Sequence, residues 1–80
     1  MNNLETYNTI FTEVFQVNQN DLGTDFNSDN IDKWDSICQL GLVTNMEDAF
    51  DVMLEPEDIM NFKSYDLGKT ILAKYEIVIL

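Results

Sequence analysis

The sequence predicts an all-α protein, a small four-helix bundle of three longer antiparallel helices and one short helix, with a long loop between helices one and two. Three observations lead to this prediction. Apolar residues recur at helical spacing in three stretches, capping residues precede those stretches, and a polar segment separates the first two. The chain of 80 residues is predicted to form one domain, 1–80.

The first helix is predicted over residues 4–17, where apolar residues spaced three and four apart share one face. Asn2 or Asn3 is expected to cap its start through a side-chain oxygen. The shared face carries Leu4, Tyr7, Ile10, Phe11, Val14 and Phe15.

A long polar segment, residues 18–33, follows the first helix. It is rich in Asn, Asp, Ser and Thr, whose side chains bond to nearby backbone and favour loops. We expect Leu22, Phe26 and Ile31 to hold this loop against the core. A loop of this length is uncommon in a compact domain and is often functional.

The second helix is predicted over residues 36–51, with Asp35 as its N-cap and Ser36 in its first turn. Its inward stripe is predicted to consist of Leu42, Met46, Ala49 and Phe50, with Val43 beside it.

The third helix is predicted to be short, over residues 56–61, because a proline at its start suits the first helical turn. The fourth is predicted from its N-cap Ser64 to about residue 74, and residues 76–80 are expected to pack back as a docked C-terminal segment. The stripe of the fourth helix is predicted as Leu67, Ile71, Leu72 and Tyr75. The methionines Met46, Met53 and Met60 are predicted to fill the core.

The charge of the chain limits its partners. Fifteen acidic residues and four lysines give a net charge of −11. This charge argues against nucleic-acid binding and favours partners that carry basic patches. Histidine and arginine are absent, which removes the usual general base and argues against an enzyme. The first residues lack signal-peptide features and no apolar run is long enough to span a bilayer, so we expect a cytoplasmic protein without membrane insertion.

No metal site is predicted. Asp25, Asn27 and Asp29 stand at positions 1, 3 and 5 of a possible calcium loop. The loop then fails, because Asn30 stands where a glycine is needed and Ser36 stands where a bidentate glutamate would close the site.

Ser36 is the candidate functional residue, and two interpretations compete for it. Serine is common near helix starts because it caps them. The free N–H groups and the dipole at a helix start also favour a bound or attached anion. The position alone does not decide between these two interpretations.

The residues around Ser36 resemble a known family. Asp35-Ser36-Ile37 is similar to the Asp-Ser-Leu motif at the start of the second helix of acyl carrier proteins. Residues 42–52, LVTNMEDAFDV, resemble the Leu-Val-x-x-Leu-Glu-x-x-Phe-x-Ile pattern of that family. The acidic turn at 55–58 and the start of the fourth helix at 64–67 also fit, so the resemblance spans nearly the whole chain.

The resemblance implies a function and a site. Ser36 would carry 4′-phosphopantetheine, transferred from coenzyme A by a phosphopantetheinyl transferase, and the chain would hold acyl intermediates as thioesters on this arm. The chain itself would be a monomer that catalyses no step. Asp35, Ile37, Glu47 and Asp48 would dock the transferase, the loading enzyme and downstream transferases with basic patches.

The chain departs from the family pattern at three places. Trp34, in the lead-in to the motif, resembles carriers of specialised biosynthetic pathways more than the fatty-acid carrier. Gly41 and Thr44 replace residues of the usual partner surface, which argues against docking to standard fatty-acid enzymes, whereas Ile37 in place of leucine is a mild change that is expected to keep its contact role. Two alternatives stay open. In the first alternative to the acyl carrier, the chain is an aminoacyl or D-alanyl carrier with the same arm. In the second, it is an acidic adaptor with a carrier-like fold and no arm.

Overall fold

The computed structural model describes residues 2–80 and is mainly helical. Its four α-helices are α1 (Asn3–Phe15), α2 (Ser36–Phe50), α3 (Pro56–Asn61) and α4 (Tyr65–Ala73), with a 3₁₀ turn at Gln19–Asp21. Within these residues there is no β-strand, which confirms the all-α class. The predicted domain 1–80 also includes Met1, which lies outside the described residues. None of the four helices combines the length and the apolar character needed to cross a bilayer.

The starts of the helices follow the predicted caps. The Asn2 side-chain oxygen accepts a hydrogen bond from the Glu5 N–H at 2.8 Å. The Ser64 hydroxyl accepts one from the Leu67 N–H, also at 2.8 Å. Each bond satisfies a backbone donor that has no partner inside its own helix, so the cap defines where that helix begins.

The ends of the helices fall slightly earlier than predicted. α1 ends at Phe15 and not at residue 17, because Gln16 turns into the left-handed region at φ 56°. α2 ends at Phe50 because Asp51 does the same at φ 52°. The N–H of each capping residue bonds back to a carbonyl of the last turn, which closes the helix without a glycine.

Aromatic rings form the centre of the core. The ring of Phe11 lies 5.0 Å from that of Tyr7 and 5.3 Å from that of Tyr65. The same ring lies 5.8 Å from those of Phe15 and Phe26. One cluster of rings therefore joins α1, α4 and the loop between α1 and α2.

Four residues that were predicted to lie in the core, two from periodicity and two as core-filling methionines, are exposed. Ala49 and Leu67 are exposed although they lie at helical spacing from buried neighbours. Met53 and Met60 are also exposed, and Met46 alone of the three predicted core methionines is fully buried. The cause is geometric: spacing predicts which residues share a face, but the width of the covered face depends on the neighbouring element.

The long loop is attached to the core, as predicted. Phe26 is buried, and Leu22 and Ile31 are half-buried against the core. Two backbone bonds, Ser28 N–H to the Lys63 carbonyl at 2.8 Å and Tyr65 N–H to the Phe26 carbonyl at 2.9 Å, join the loop to the segment between α3 and α4. The loop is therefore part of the folded unit.

The C-terminal segment is docked, as predicted. Ile79 is buried in the core, and the Asn3 side-chain N–H donates to the Val78 carbonyl at 3.0 Å. This contact joins the two ends of the described chain.

A buried carboxylate ties α3 to the end of α4. Asp58 is almost fully buried, and the Lys74 ammonium pairs with its Oδ1 at 2.6 Å. The Tyr75 hydroxyl donates to its Oδ2 and accepts from the Glu55 N–H at 2.9 Å. The hydrogen bonds from Lys74 and Tyr75 hold the pKa of Asp58 below its ordinary value. The short α3 is thus held by polar contacts as well as by apolar packing.

Two glycines are expected to respond in opposite directions to alanine. In Gly68→Ala the new Cβ would lie 2.5 Å from Phe62 Cζ and against the Tyr7 hydroxyl, so we expect a loss of about 1–3 kcal/mol of unfolding free energy. Gly41 has open space around it, so Gly41→Ala is expected to stabilise α2 by roughly 0.5–1 kcal/mol. Urea unfolding of both variants checks this, and equal effects would contradict the close packing at Gly68.

The Asp58 contacts are expected to make stability depend on acid. Because the folded-state pKa of Asp58 is lowered, its contribution is present above the ordinary carboxylate pKa and is lost as pH falls through the lowered value. Below about pH 4, the unfolding free energy of Asp58→Asn should therefore fall less steeply with decreasing pH than that of the wild type. Urea unfolding at a series of pH values measures this. Glu13→Gln, at an exposed position on α1, is the matched control and should keep the wild-type acid dependence.

Candidate functional site

At the start of α2, one residue caps the helix and the next residue is exposed to solvent. Asp35 has extended backbone, and its Oδ1 accepts a hydrogen bond from the Cys38 N–H at 2.8 Å. Asp35 is therefore the N-cap, as predicted, and Ser36 is the first residue of the helix. Ser36 is exposed, and its hydroxyl is not the oxygen that caps the helix.

Trp34, the residue directly before the cap, is held in the core. Its side chain is only 6% exposed, and its ring lies 4.9 Å from that of Phe15 and 5.9 Å from that of Phe11. The Trp34 N–H also donates to the Ile31 carbonyl at 3.0 Å. The indole N–H has no hydrogen-bond partner among residues 2–80, so ring packing is the contact that holds this side chain. The aromatic core therefore fixes the residue that precedes the cap of α2.

The surface next to Ser36 is apolar and lacks acidic side chains on the first turn of α2. Ile37 is 84% exposed and Leu40 is 60% exposed. The first turn of α2 contains no acidic residue beyond the cap itself. Exposed apolar side chains grouped together on a small protein are a common feature of interaction surfaces.

The predicted docking residues fall into two groups. Asp35 and Ile37 flank Ser36 directly. Glu47 lies eleven positions further along α2, which corresponds to about 16 Å of helix, and Asp48 follows it. The Glu47 carboxylate accepts the Leu54 N–H at 2.8 Å and so holds the connection between α2 and α3, whereas Asp48 is exposed.

An open groove of about 370 Å³ runs between α2 and α3 beside Ser36. The Gln39 side-chain N–H donates to the Ile59 carbonyl at 2.8 Å and so links the two helices across it. The groove is lined by Ser36, Gln39, Leu40, Ile59, Met60 and Lys63. Its lining combines apolar side chains with one amide, one hydroxyl and one ammonium group.

Cys38, on the first turn of α2, is half-buried. Burial, and then the negative charge of Asp35, raise the pKa of its thiol above the ordinary value. A raised pKa keeps the thiol protonated at neutral pH, which makes it a weak nucleophile. Residues 2–80 contain no group of three or more His, Cys, Asp or Glu side chains placed to hold a metal ion.

Lys63 and Gln39 are the groove residues that sequence reasoning missed. Gln39 stands one turn after Ser36, so its helical position was a usable signal. Lys63 has no comparable signal, because 27 positions separate it from Ser36 along the chain. Its place beside Ser36 follows from how α3 packs against α2.

Comparisons of the chain with protein-family models, with curated proteins and with solved structures give no match. The resemblance of residues 35–37 and 42–52 to acyl carrier proteins therefore stays a prediction. The geometry at the start of α2 is the remaining basis for a functional proposal.

The capping role of Asp35 leads to a stability prediction. Asp35→Ala should lower the unfolding free energy by about 1 kcal/mol, because the Cys38 N–H loses its acceptor. Asp35→Asn should stay close to wild type, since asparagine caps about as well as aspartate. Urea unfolding measures both, and an Asp35→Ala variant as stable as wild type would contradict the assigned cap.

Proposed function

We propose that this chain is a carrier protein, a single four-helix-bundle domain that bears 4′-phosphopantetheine on Ser36. The observation that carries the proposal is the exposed Ser36 hydroxyl at the first position of α2, with the capping role taken by Asp35. A serine that caps its own helix uses its oxygen to accept a backbone N–H, whereas here the capping oxygen belongs to Asp35. On this proposal the protein is a cytoplasmic monomer that catalyses no step itself.

The attachment reaction would be performed by a partner enzyme. A phosphopantetheinyl transferase would bind coenzyme A and Mg²⁺ and bring them to Ser36. The Ser36 oxygen would form a bond to the phosphorus that carries the pantetheine, and the pyrophosphate bond of coenzyme A would break. Adenosine 3′,5′-bisphosphate would leave, and the hydroxyl proton would pass to the transferase. The negative charge of −11 on the carrier favours a transferase with a basic docking patch.

The residues at the start of α2 fit the attached group. Free N–H groups in the first turn of a helix favour a phosphate next to them. The terminal thiol of the arm supplies the chemistry, since it holds an acyl group as a thioester. The chain contributes the exposed attachment point, and the attached arm is a long flexible tether that raises the effective concentration of the cargo at each docked partner.

Partners would dock on the apolar surface beside Ser36. Ile37 and Leu40 offer exposed aliphatic contacts next to the attachment point. By the resemblance to carrier proteins, Asp35 would help present the serine to the transferase. Glu47 and Asp48 would add negative charge at the far end of α2, with Asp48 more accessible than Glu47. A partner surface with an apolar centre and basic groups to one side complements this arrangement. We propose partners from a specialised biosynthetic pathway, because Gly41 and Thr44 leave the middle of α2 without charge.

Two other functions are compatible with the same surface. An aminoacyl or D-alanyl carrier would use the same serine and arm and differ only in its cargo. An acidic adaptor without an arm is favoured by one observation, the exposed Ile37, Leu40 and Met60 on a strongly acidic chain. The adaptor would bind its partner through these side chains and would not need the Ser36 hydroxyl.

Attachment at Ser36 is directly testable. We expect the purified chain, incubated with coenzyme A, Mg²⁺ and a broad-specificity phosphopantetheinyl transferase, to gain the mass of one phosphopantetheine group. Intact-mass spectrometry measures the adduct, and Ser36→Ala should abolish it.

Ser28→Ala is the matched control, since Ser28 lies in the loop before α2 and should not affect the reaction. An adduct that persists in Ser36→Ala would show that another residue is modified. If the wild-type chain gains no mass, the adaptor becomes the favoured function.

A further inference from the structure

The four lysines of this chain differ in what they contact. The Lys74 ammonium pairs with Asp58 at 2.6 Å, and the Lys69 ammonium lies 4.4 Å from the centre of the Tyr65 ring. Lys33 donates to the Phe15 carbonyl at 3.5 Å. For the Lys63 ammonium, residues 2–80 provide neither an ion pair, nor a hydrogen bond, nor an aromatic ring.

This difference is unexpected because the chain is so acidic. The chain has fifteen acidic residues and only four lysines, so carboxylate partners outnumber ammonium groups. Asp29 and Asp66 line a neighbouring hollow together with Lys63, yet neither carboxylate comes within 4.0 Å of its ammonium. The exposed side chain of Lys63 is therefore accessible to an anion from outside residues 2–80.

The backbone of Lys63 is held in place from two sides. Its N–H donates to the Asn61 carbonyl at 2.8 Å, and its carbonyl accepts from the Ser28 N–H at 2.8 Å. The next residue, Ser64, forms an isolated antiparallel bridge with Asn27. The long loop thus fixes the point from which the Lys63 side chain reaches into the groove beside Ser36.

We propose that Lys63 binds the phosphoryl group esterified to Ser36. The ammonium supplies the charge opposite to that of the phosphate, and Lys63 and Ser36 line the same groove between α2 and α3. This inference deepens the proposed function and rests on attachment at Ser36.

The same binding chemistry applies to two sources of phosphate. One is the phosphodiester of phosphopantetheine, and the other is a phosphate monoester placed on Ser36 by a kinase. The monoester carries more negative charge at neutral pH, so Lys63 should bind it more tightly. An 80-residue chain is short enough to assemble chemically with phosphoserine at position 36, so both forms are accessible for comparison.

The test compares the reactivity of individual lysines in three forms of the whole chain, namely unmodified, phosphopantetheinylated and carrying phosphoserine at position 36. Each form is treated with limiting acetic anhydride, and acetylation at each lysine is measured by peptide mass spectrometry. Lys69 is the internal reference because it packs on Tyr65 away from the groove. We expect acetylation of Lys63 relative to Lys69 to fall roughly two- to fivefold in the modified forms, and the protection to shrink at high salt.

A titration provides a second readout on the phosphoserine form. ³¹P NMR follows the second ionisation of the phosphate with pH. Lys63→Gln should raise the phosphate pKa, because a nearby positive charge favours the doubly ionised form. Lys69→Gln should leave it unchanged.

The outcomes separate the inference from the proposed function. Equal acetylation of Lys63 in all three forms, together with a phosphate pKa unaffected by Lys63→Gln, overturns the inference even if the transferase modifies Ser36. If the transferase fails but phosphoserine at position 36 protects Lys63, the carrier function is lost and the anion-binding role of Lys63 survives. Protection in both modified forms supports both proposals.

Discussion

The aromatic cluster around Phe11 is the contact on which the rest of the structure depends. The rings of Phe11 and Phe15 on α1 pack against Phe26 of the long loop and against Trp34, which directly follows that loop. Trp34 directly precedes the cap of α2, so the burial of its ring sets the position of Asp35 and Ser36. A site residue that is itself exposed is therefore positioned by a large apolar neighbour in the core.

The long loop has a structural role at both ends of the groove. It brings Trp34 to α1, and through Asn27 and Ser28 it pairs with the segment that contains Lys63. These contacts satisfy backbone groups that a sixteen-residue polar connection would otherwise leave to water. One segment without a regular helix thus supports both the candidate attachment point and the ammonium group opposite it.

The distribution of charge differs from what the composition suggests. The chain is strongly acidic overall, yet the surface beside Ser36 is apolar and includes a lysine. Glu47 and Asp58 show that some carboxylates serve the fold, because they hold the α2–α3 connection and the end of α4. The sequence did not distinguish Asp58 from its exposed neighbour Glu57, since the difference comes from Lys74 and Tyr75, sixteen and seventeen residues away.

The sequence by itself determined the local features of this protein. Caps at Asn2, Asp35 and Ser64 were predictable because each acts on a backbone donor three residues away. For the same reason the placement of Ser36 in the first turn of α2 was predictable.

Only the tertiary structure decided which residues of each predicted apolar stripe are buried. Ala49 and Leu67 match the periodicity of buried residues and are nevertheless exposed, because no neighbouring element covers those positions. It also decided that Lys63 lies beside Ser36 and that Trp34 is buried, since both depend on contacts between segments far apart in the chain. Periodicity and caps report the geometry of one helix, whereas burial and site assembly depend on how separate elements pack together.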